Sequence, residues 1–483
     1  MFEQALALVE RINWYAASIT ALAFVTGLVA VLHALTYKRD PRSALGWIAV
    51  SLLYPFIGPI LYLLFGVNRI RTSALQEFGR AVSRETGVYP HAARSPSFPA
   101  WEAYRPLIQL GDAMTGQPLL AGNHVSILEG GTEVYTAMLY EIEQAKSEIL
   151  LSTYIFKYDR IGRQFVQCLA AAKQRGVAVH VLIDGVGDLY SIRSAARALM
   201  KADIAVVRFL RLSLFPPKIH MNLRNHRKIL VVDSEVAFAG GLNISDAHGS
   251  VTQESGELIR DHHFKFEGSI VSELKKLFIS DWNMATKKPL PDLPRQTEIR
   301  GQSVCRLLPD GPNENLDTLL SVLIGAISIA RETIDLVTPY FLPPRELITA
   351  LAAAALRGVR VRLFIPEKNN FPFVGWATHN MLWEVLQPGV EVYAVPPPFL
   401  HSKLYLIDGC YALVGSANLD ARSLRLNFEL LVEIYDEEVG KSLAEEIDSH
   451  LEEAKSVTLE QVDSRPFPVR VRDAFFWLFT PYL

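Results

Sequence analysis

The sequence predicts an α/β protein: a duplicated sandwich of two pseudo-symmetric α/β halves sharing one cleft, behind an N-terminal two-helix membrane anchor. Three observations predict it. One polar motif is written twice, at His226 and at His401. The succession of helices and strands around it is also written twice, the mark of an internal repeat. The first 65 residues hold two long apolar runs.

Residues 14 to 35, WYAASITALAFVTGLVAVLHAL, carry no charged side chain apart from a titratable His33, and that length spans a bilayer as a helix. Leu45 to Phe65 is a second run, interrupted by Pro55 and Pro59 and therefore kinked or partly re-entrant. Trp14, Tyr15, Tyr37, Trp47 and Tyr62 stand near the ends, where interfacial aromatics belong. Glu3 and Glu10 occupy what would be the basic region of a cleaved signal, and no small-residue cleavage site follows. Residues 1 to 67 are thus read as a transmembrane hairpin, with a buried helical hairpin as the rival. Lys38, Arg39 and Arg42 nearly balance Arg69, Arg71, Arg80 and Arg84, so basic residues leave the orientation open. A disulfide-free, thiol-bearing body favours a cytoplasmic catalytic domain on a multi-pass cell-membrane protein.

Residues 68 to 115 read as a polar connector rich in Arg, Pro and Ser. The first half then runs from 116 to 294 and the second from 295 to 483. Thr132 to Lys146 is a helix leading into the strand ILLSTYIF; Leu316 to Arg331 leads likewise into TIDLVTPYF, with Thr153 matching Thr338 and Phe156 matching Phe341. A second helix ends LAAAKQRGV before AVHVLID, and its twin ends LAAAALRGV before VRLFI. Strands alternating with helices that close on Arg-Gly-Val imply helices covering a sheet. A net charge of −3 argues against a nucleic-acid binder driven by global charge. Cys168, Cys305 and Cys410 are odd in number and far apart, which fits neither a disulfide framework nor a metal site.

The motif itself is NHRKILVVDSEVAFAGGLNISD. His226, Lys228 and Asp233 are followed by Gly240, Gly241 and Asn243 at offsets of 14, 15 and 17 from the histidine. His401, Lys403 and Asp408 repeat the first spacing, and Gly415, Ser416 and Asn418 repeat the offsets. With twelve histidines in the chain one triplet means little, but two copies sharing six spaced positions, five of them identical and the sixth Gly241 against Ser416, are not chance. Imidazole can carry a phosphoryl group and trades protons near neutrality. Lysine is a point charge for phosphate oxygens, and asparagine adds directed donors. The wording predicts a strand with His and Lys on one face, a turn at Asp233-Ser234 or Asp408-Gly409, and a second strand ending at the glycines. Asp233 and Asp408 fall at the far strand ends, where structural roles are expected.

These paired motifs, with the wider wording NLRNHRKILVVD, LVTPYFLPP, FLHSKLYLID and ALVGSANLDARSLRLNFE, resemble the phospholipase D superfamily and, within it, bacterial cardiolipin synthases. The resemblance implies transfer of a phosphatidyl group between two phosphatidylglycerol molecules, giving cardiolipin and glycerol through a phosphohistidine. It makes His226, Lys228, Asp233, His401, Lys403 and Asp408 the catalytic set, with His226 as nucleophile and His401 as acid and base. Gly241, Asn243, Ser416, Asn418 and Glu429 would hold the substrate, Glu429 by orienting an imidazole. No cofactor, no metal and no nucleic acid are implied; the partners are phosphatidylglycerol, other anionic phospholipids and the membrane. Hydrolysis to phosphatidic acid by a phospholipase D is the alternative, and the near-symmetric motifs do not say which histidine attacks.

Three stretches stay open. Asp261-His262-His263 and Asn427-Phe428-Glu429 each precede a Glu six residues on (Glu267, Glu433), which would place His263 where the second half has Glu429. The Asp261 cluster could instead bind metal. Residues 204 to 232 hold six Lys or Arg and no acid around the apolar Leu212 to Pro217, either a solvated loop or a lip for anionic head groups. The tail RPFPVRVRDAFFWLFTPYL is either an interfacial helix or a segment docked on the body.

Overall fold

The structure, a computed structural model, describes residues 2–38, 41–66, 101–117, 119–190, 194–210, 213–214, 217–218, 224–249, 258–291, 298–311 and 317–480. The chain divides into two compact units, Met1–Glu77 and Phe78–Leu483.

In the first unit, helix α1 (Phe2–Tyr37) contains a 24-residue stretch, Trp14–Tyr37, of mean hydropathy 2.0, long and apolar enough to cross a membrane. Its Trp14, Phe24 and Leu35 side chains point outward. The second apolar run breaks at the first of its two prolines, and neither piece alone has spanning length. Helix α2 (Pro41–Leu53) stops short of Pro55, which brings no N–H and a ring that clashes with the preceding turn. Phe56 then takes a φ of 71°, and only a five-residue helix (Ile57–Leu61) and a π turn (Tyr62–Gly66) follow. Gly58 rests on the Val50 carbonyl so closely that a Cβ would lie 2.2 Å from it. Ala30, Ala34 and Tyr62 form the small core, and Tyr62 bonds His33 Nδ1 at 2.7 Å. The first unit is therefore one helix of spanning length with a broken helical segment packed on it.

The second unit is built on one 15-stranded sheet. The first half supplies β1 (Leu120–Glu129), β2 (Glu148–Thr153), β3 (Ala178–Asp184), β4 (Ala205–Phe209), β5 (Ile229–Val232), β6 (Val236–Gly240) and β7 (His262–Glu267). The second supplies β8 (Ser303–Asp310), β9 (Thr333–Val337), β10 (Arg360–Pro366), β11 (Glu391–Val395), β12 (Leu404–Ile407), β13 (Tyr411–Gly415) and β14 (Glu429–Tyr435). The first half runs β1-β7-β6-β5-β2-β3-β4 across the sheet and the second β8-β14-β13-β12-β9-β10-β11, with β15 (Lys455–Val457) on the outer edge. The order is the same in both, so the duplication read from the sequence is a duplication of topology. β2-β3-β4 and β9-β10-β11 are parallel, and the motif strands run antiparallel. The halves meet where β1 pairs β8 at Leu120–Cys305 and Asn123–Ser303; the Asn123 amide fills the irregularity by donating to the Leu120 and Ser303 carbonyls.

The repeat holds to the atom. Thr153 Oγ1 donates to the Ile155 carbonyl at 3.0 Å, as Thr338 Oγ1 does to that of Tyr340. Helices Arg160–Gln174 and Arg345–Leu356 both end on a glycine with φ near +90°, Gly176 and Gly358, in the left-handed position that favours glycine. The arginine before each reaches back to cap another helix: Arg175 donates to the Ile142 and Ala145 carbonyls, Arg357 to those of Ile327, Ser328 and Ala330. Val134, Met138, Phe165 and Leu169 pack on Leu151 and Val181 in one half, Leu323, Ile327 and Leu351 on Ile334 and Val361 in the other.

The connector is shorter than the composition suggests. Residues 67–100, including HAARSPSFP, lie outside the described residues, but Trp101–Thr115 forms helix α3. Its Tyr104, Leu107 and Ile108, spaced on one helical face, enter the core of the second half. The buried Arg306 guanidinium binds the Ile108 carbonyl at 3.2 Å, Asp112 at 2.5 Å and Glu433 at 2.7 Å.

Candidate active site

Each motif opens in an extended segment just ahead of β5 or β12, so histidine and lysine precede the strand expected to carry them. What holds these segments is the other half. His226 N–H donates to the Phe428 carbonyl at 2.9 Å and Phe428 N–H to that of Arg224 at 2.8 Å. His401 N–H donates to the Arg260 carbonyl at 2.8 Å, and Phe399-Leu400 runs parallel to Ile259-Arg260. The crossing brings an acid to each imidazole. Glu429 Oε2 lies 3.0 Å from His226 Nδ1, and Asp261 Oδ2 lies 2.6 Å from His401 Nδ1. A carboxylate on Nδ1 fixes the tautomer with its proton there and leaves the Nε2 lone pair for chemistry.

Asp261 is the site residue that sequence reasoning missed. In the sheet Gly240 pairs His263 and Gly415 pairs Leu431, so two residues earlier Asp261 matches Glu429. His263 is not the counterpart: counting back from Glu267 and Glu433 misaligned the halves by two. The spacing from the glycines was no help either, because Gly240 to Asp261 is seven residues longer than Gly415 to Glu429. The usable signal was an acid directly before a strand that begins beside the glycine pair. Tyr154 and Tyr340 are also new here, edge-on to His226 and His401 with ring centres 5.1 Å and 6.4 Å away.

Burial lowers both imidazoles. His226 is drawn down by desolvation, against the pull of Glu429; His401 falls to about 3 through burial and the Lys403 ammonium, which stands 3.0 Å and 3.2 Å from its ring nitrogens. Both rings are neutral near pH 7. Burial also lowers Lys228 to about 7 and Lys403 to about 8, Lys403 pushing Lys228 further down. Each ammonium donates to the carbonyl of its own histidine, Lys228 at 2.7 Å, and Lys228 lies over the Tyr154 ring. Burial would raise Asp261, but Lys403 and His401 hold it well below the ordinary carboxylate range; Glu429 is lowered by His226 and Lys228 against the same cost.

The remaining predicted residues separate into groups. Ser416 Oγ donates to Glu429 Oε2 at 2.6 Å, and at the matching place a Cβ on Gly241 would lie 2.3 Å from Asp261 Oδ1. These two seat the acids. Asn243 accepts from the Ile155 N–H at 3.1 Å, which fixes its amide, while Asn418 donates to Ser423 Oγ at 3.2 Å. Asp233 and Asp408, expected in the catalytic set and at the far strand ends, bond backbone there and not either imidazole. Asp233 accepts from the N–H groups of Lys146, Ser147 and Glu148, and Asp408 from those of Arg331, Glu332 and Thr333. Each pins the start of β2 or β9 to the motif hairpin, whose turn carries positive φ at Asp233-Ser234 and Asp408-Gly409.

The Asp261 trio does not converge on a metal, because neighbours on a strand diverge. Asp261 faces His401, His262 bonds Ser402 Oγ at 2.8 Å, and His263 Nδ1 faces the Leu242 N–H. Among the described residues one other group, Glu129, His262 and Glu446, brings ligand atoms within 4.8 Å of one another, with Glu129 exposed. The basic stretch is partly accounted for internally: Arg208 pairs with Asp188 at 2.7 Å, Arg224 with Asp184 at 3.3 Å and Arg227 with Asp281 at 2.6 Å. The side chains of 211–223, which would form the lip, lie outside the described residues.

A duplicated sheet that presents two histidine–lysine pairs, each with a carboxylate from the opposite repeat, defines a phospholipase D-like protein. The profile described as cardiolipin synthase, PLD-like domain, matches residues 138–282 and 323–451, and that described as phospholipase D-nuclease N-terminal matches residues 27–66. The chain is 32% identical over 453 residues to the cardiolipin synthase of Geobacillus kaustophilus (strain HTA426), covering 92% of this chain and 90% of that one. It is 30% identical over 472 residues to the major cardiolipin synthase of Bacillus subtilis (strain 168), covering 94% and 97%. The crystal structure of phosphatidylserine synthase from Haemophilus influenzae Rd KW20 superposes with a TM-score of 0.62 at 17% identity over 78% of this chain and 100% of that one, a likeness of fold. The chain belongs to the cardiolipin synthase family.

Proposed function

We propose that the protein transfers a phosphatidyl group from one phosphatidylglycerol to another, releasing glycerol and forming cardiolipin through a phosphohistidine. The observation that carries this reading is the reciprocal pair of carboxylate–imidazole contacts flanked by Lys228 and Lys403, in a chain of this family. His226 Nε2 attacks the phosphorus of the first lipid. The phosphorus–oxygen bond to the terminal glycerol breaks, and His401, which takes up a proton when the lipid anion binds, gives that oxygen its Nε2 proton. Neutral His401 then takes the proton of the second lipid's hydroxyl, whose oxygen displaces His226 from phosphorus. Lys228, Lys403 and the Asn243 and Asn418 amides meet the negative oxygens where charge builds. His401 suits the proton-carrying role because its carboxylate contact is the shorter, and a short charge-assisted bond favours the imidazolium. Burial and the Lys403 ammonium hold His401 at about 3 in the free protein, and a phosphodiester anion seated beside both adds the negative charge that draws a proton onto the ring.

Hydrolysis shares the first step and differs in what resolves the intermediate. Vesicles containing phosphatidylglycerol alone should yield cardiolipin and free glycerol, with phosphatidic acid minor, and added glycerol should drive cardiolipin back to phosphatidylglycerol. Dominant phosphatidic acid, indifferent to glycerol, would make the enzyme a phospholipase D.

A further inference from the structure

We infer that the C-terminal helix is a membrane-docking surface that holds the His401 side of the cleft against an anionic lipid bilayer. The inference rests on the lipid-transfer reading above and adds the surface through which lipid reaches the site. The helix Phe467–Trp477 and the turn after it carry Phe467, Val471, Phe475 and Phe479 at intervals of four, with Leu478 three residues after Phe475, and so on one face. All five are exposed, Phe467 at 76% and Phe475 at 55%. A soluble body gains nothing from a stripe of this kind.

The opposite face is docked. Phe476 lies 5.0 Å from Trp376 and 6.4 Å from Phe373 between ring centres. The Arg472 guanidinium stands 4.4 Å from the Trp376 ring centre, and the buried Asp473 holds Arg465 and Arg472. The two expectations for this tail thus apply to opposite faces of one helix. Exposed Arg470 stands beside the apolar stripe, and Arg472, although paired with Asp473, keeps an exposed edge there, the arrangement that suits anionic head groups above acyl chains. Aromatic rings continue from this helix to the chemistry: Phe476 meets Phe373, Phe373 meets Phe371 at 5.6 Å, Phe371 meets Tyr340 at 6.3 Å, and Tyr340 meets His401 at 6.4 Å. Phe371 is itself 41% exposed. This continuity with the catalytic imidazole is what selects a lipid surface as the occupant.

The test uses the full chain in phosphatidylglycerol vesicles. A polarity-sensitive fluorophore is placed at Phe475→Cys, with Cys168→Ser as background, and at Glu460→Cys as an exposed control. The label at 475 should shift to the blue and be quenched by lipid-borne nitroxide about five-fold more than the label at 460. In the triple variant Phe467→Ser, Val471→Ser, Phe475→Ser, the ratio of turnover on vesicle lipid to turnover on short-chain soluble phosphatidylglycerol should fall about ten-fold. A label at 475 that remains in water, or an unchanged ratio, overturns the docking surface. If wild-type enzyme makes no cardiolipin from the soluble lipid, the transfer reading fails, while the fluorophore still decides the docking.

Discussion

A carboxylate 2.6 Å from His401 Nδ1 sets both the direction in which that imidazole points and the charge it can bear. Replacing it with an amide keeps the shape and removes the charge. Asp261→Asn and Glu429→Gln should each lower kcat about 10²-fold or more, with little change in stability relative to His226→Ala or His401→Ala, which should abolish turnover in folded protein. Near-normal kcat in Asp261→Asn would remove Asp261 from the site. The titrating groups also set the pH profile. His226, which must attack as the neutral ring, is depressed, so the acid limb of kcat/KM should lie below the ordinary imidazole value near 6.5. Lys228 and Lys403 lose their protons at about 7 and about 8, so activity should fall as pH rises through that window. Lys403→Arg should carry the alkaline limb upward even at reduced rate. A profile of short-chain lipid turnover that stays flat to pH 9 would show that the lysine charges do not matter. At this scale the sequence was informative about identity and silent about direction: it named both histidines, both lysines and Glu429, but seven extra residues hid Asp261.

The motif hairpin owes its place to an aspartate bonded to backbone. Asp233 and Asp408 each accept three backbone N–H groups, and charged acceptors of this kind contribute about 1–3 kcal/mol apiece before overlap. Asp233→Ala or Asp408→Ala should therefore cost about 2–4 kcal/mol in unfolding experiments while folded enzyme, assayed cold, keeps most of its kcat. The backbone donors hold Asp233 below its ordinary value against the cost of burial. Its contribution is complete above the unfolded carboxylate value and fades as pH drops through the folded one, so the penalty of Asp233→Ala should shrink in acid. A variant that is stable yet inactive would return the residue to the catalytic set. Elements were legible where pattern and length agreed: AVHVLID is β3 residue for residue. The prolines of the second apolar run announced its break, whereas α3 was hidden in a stretch read as polar, its apolar residues interleaved with Glu102, Arg105 and Asp112.

The whole molecule depends on contacts that cross between repeats. Arg227, fully buried, donates to Asp281 at 2.6 Å, to the Glu429 carbonyl at 2.9 Å and to the Asp310 carbonyl at 2.8 Å. Arg227→Ala takes the charged partner from the buried Asp281, which keeps the Asn225 amide at 2.8 Å, and one donor from each of two carbonyls, and should cost about 3–5 kcal/mol. Denaturant unfolding of that variant should lose the first and second halves together; separate transitions would show that the halves do not rely on this arginine. The repeat was visible in the sequence because it recurs along one chain. The exchange of acids was not, since spacing within a half says nothing about which half a side chain serves. That exchange bears on descent. A duplicated gene ordinarily leaves one copy free to drift, yet here a change at Asp261 is felt at His401 and a change at Glu429 at His226. Neither copy can become a spare, and an ancestor with a single copy would have needed a twin to complete its site.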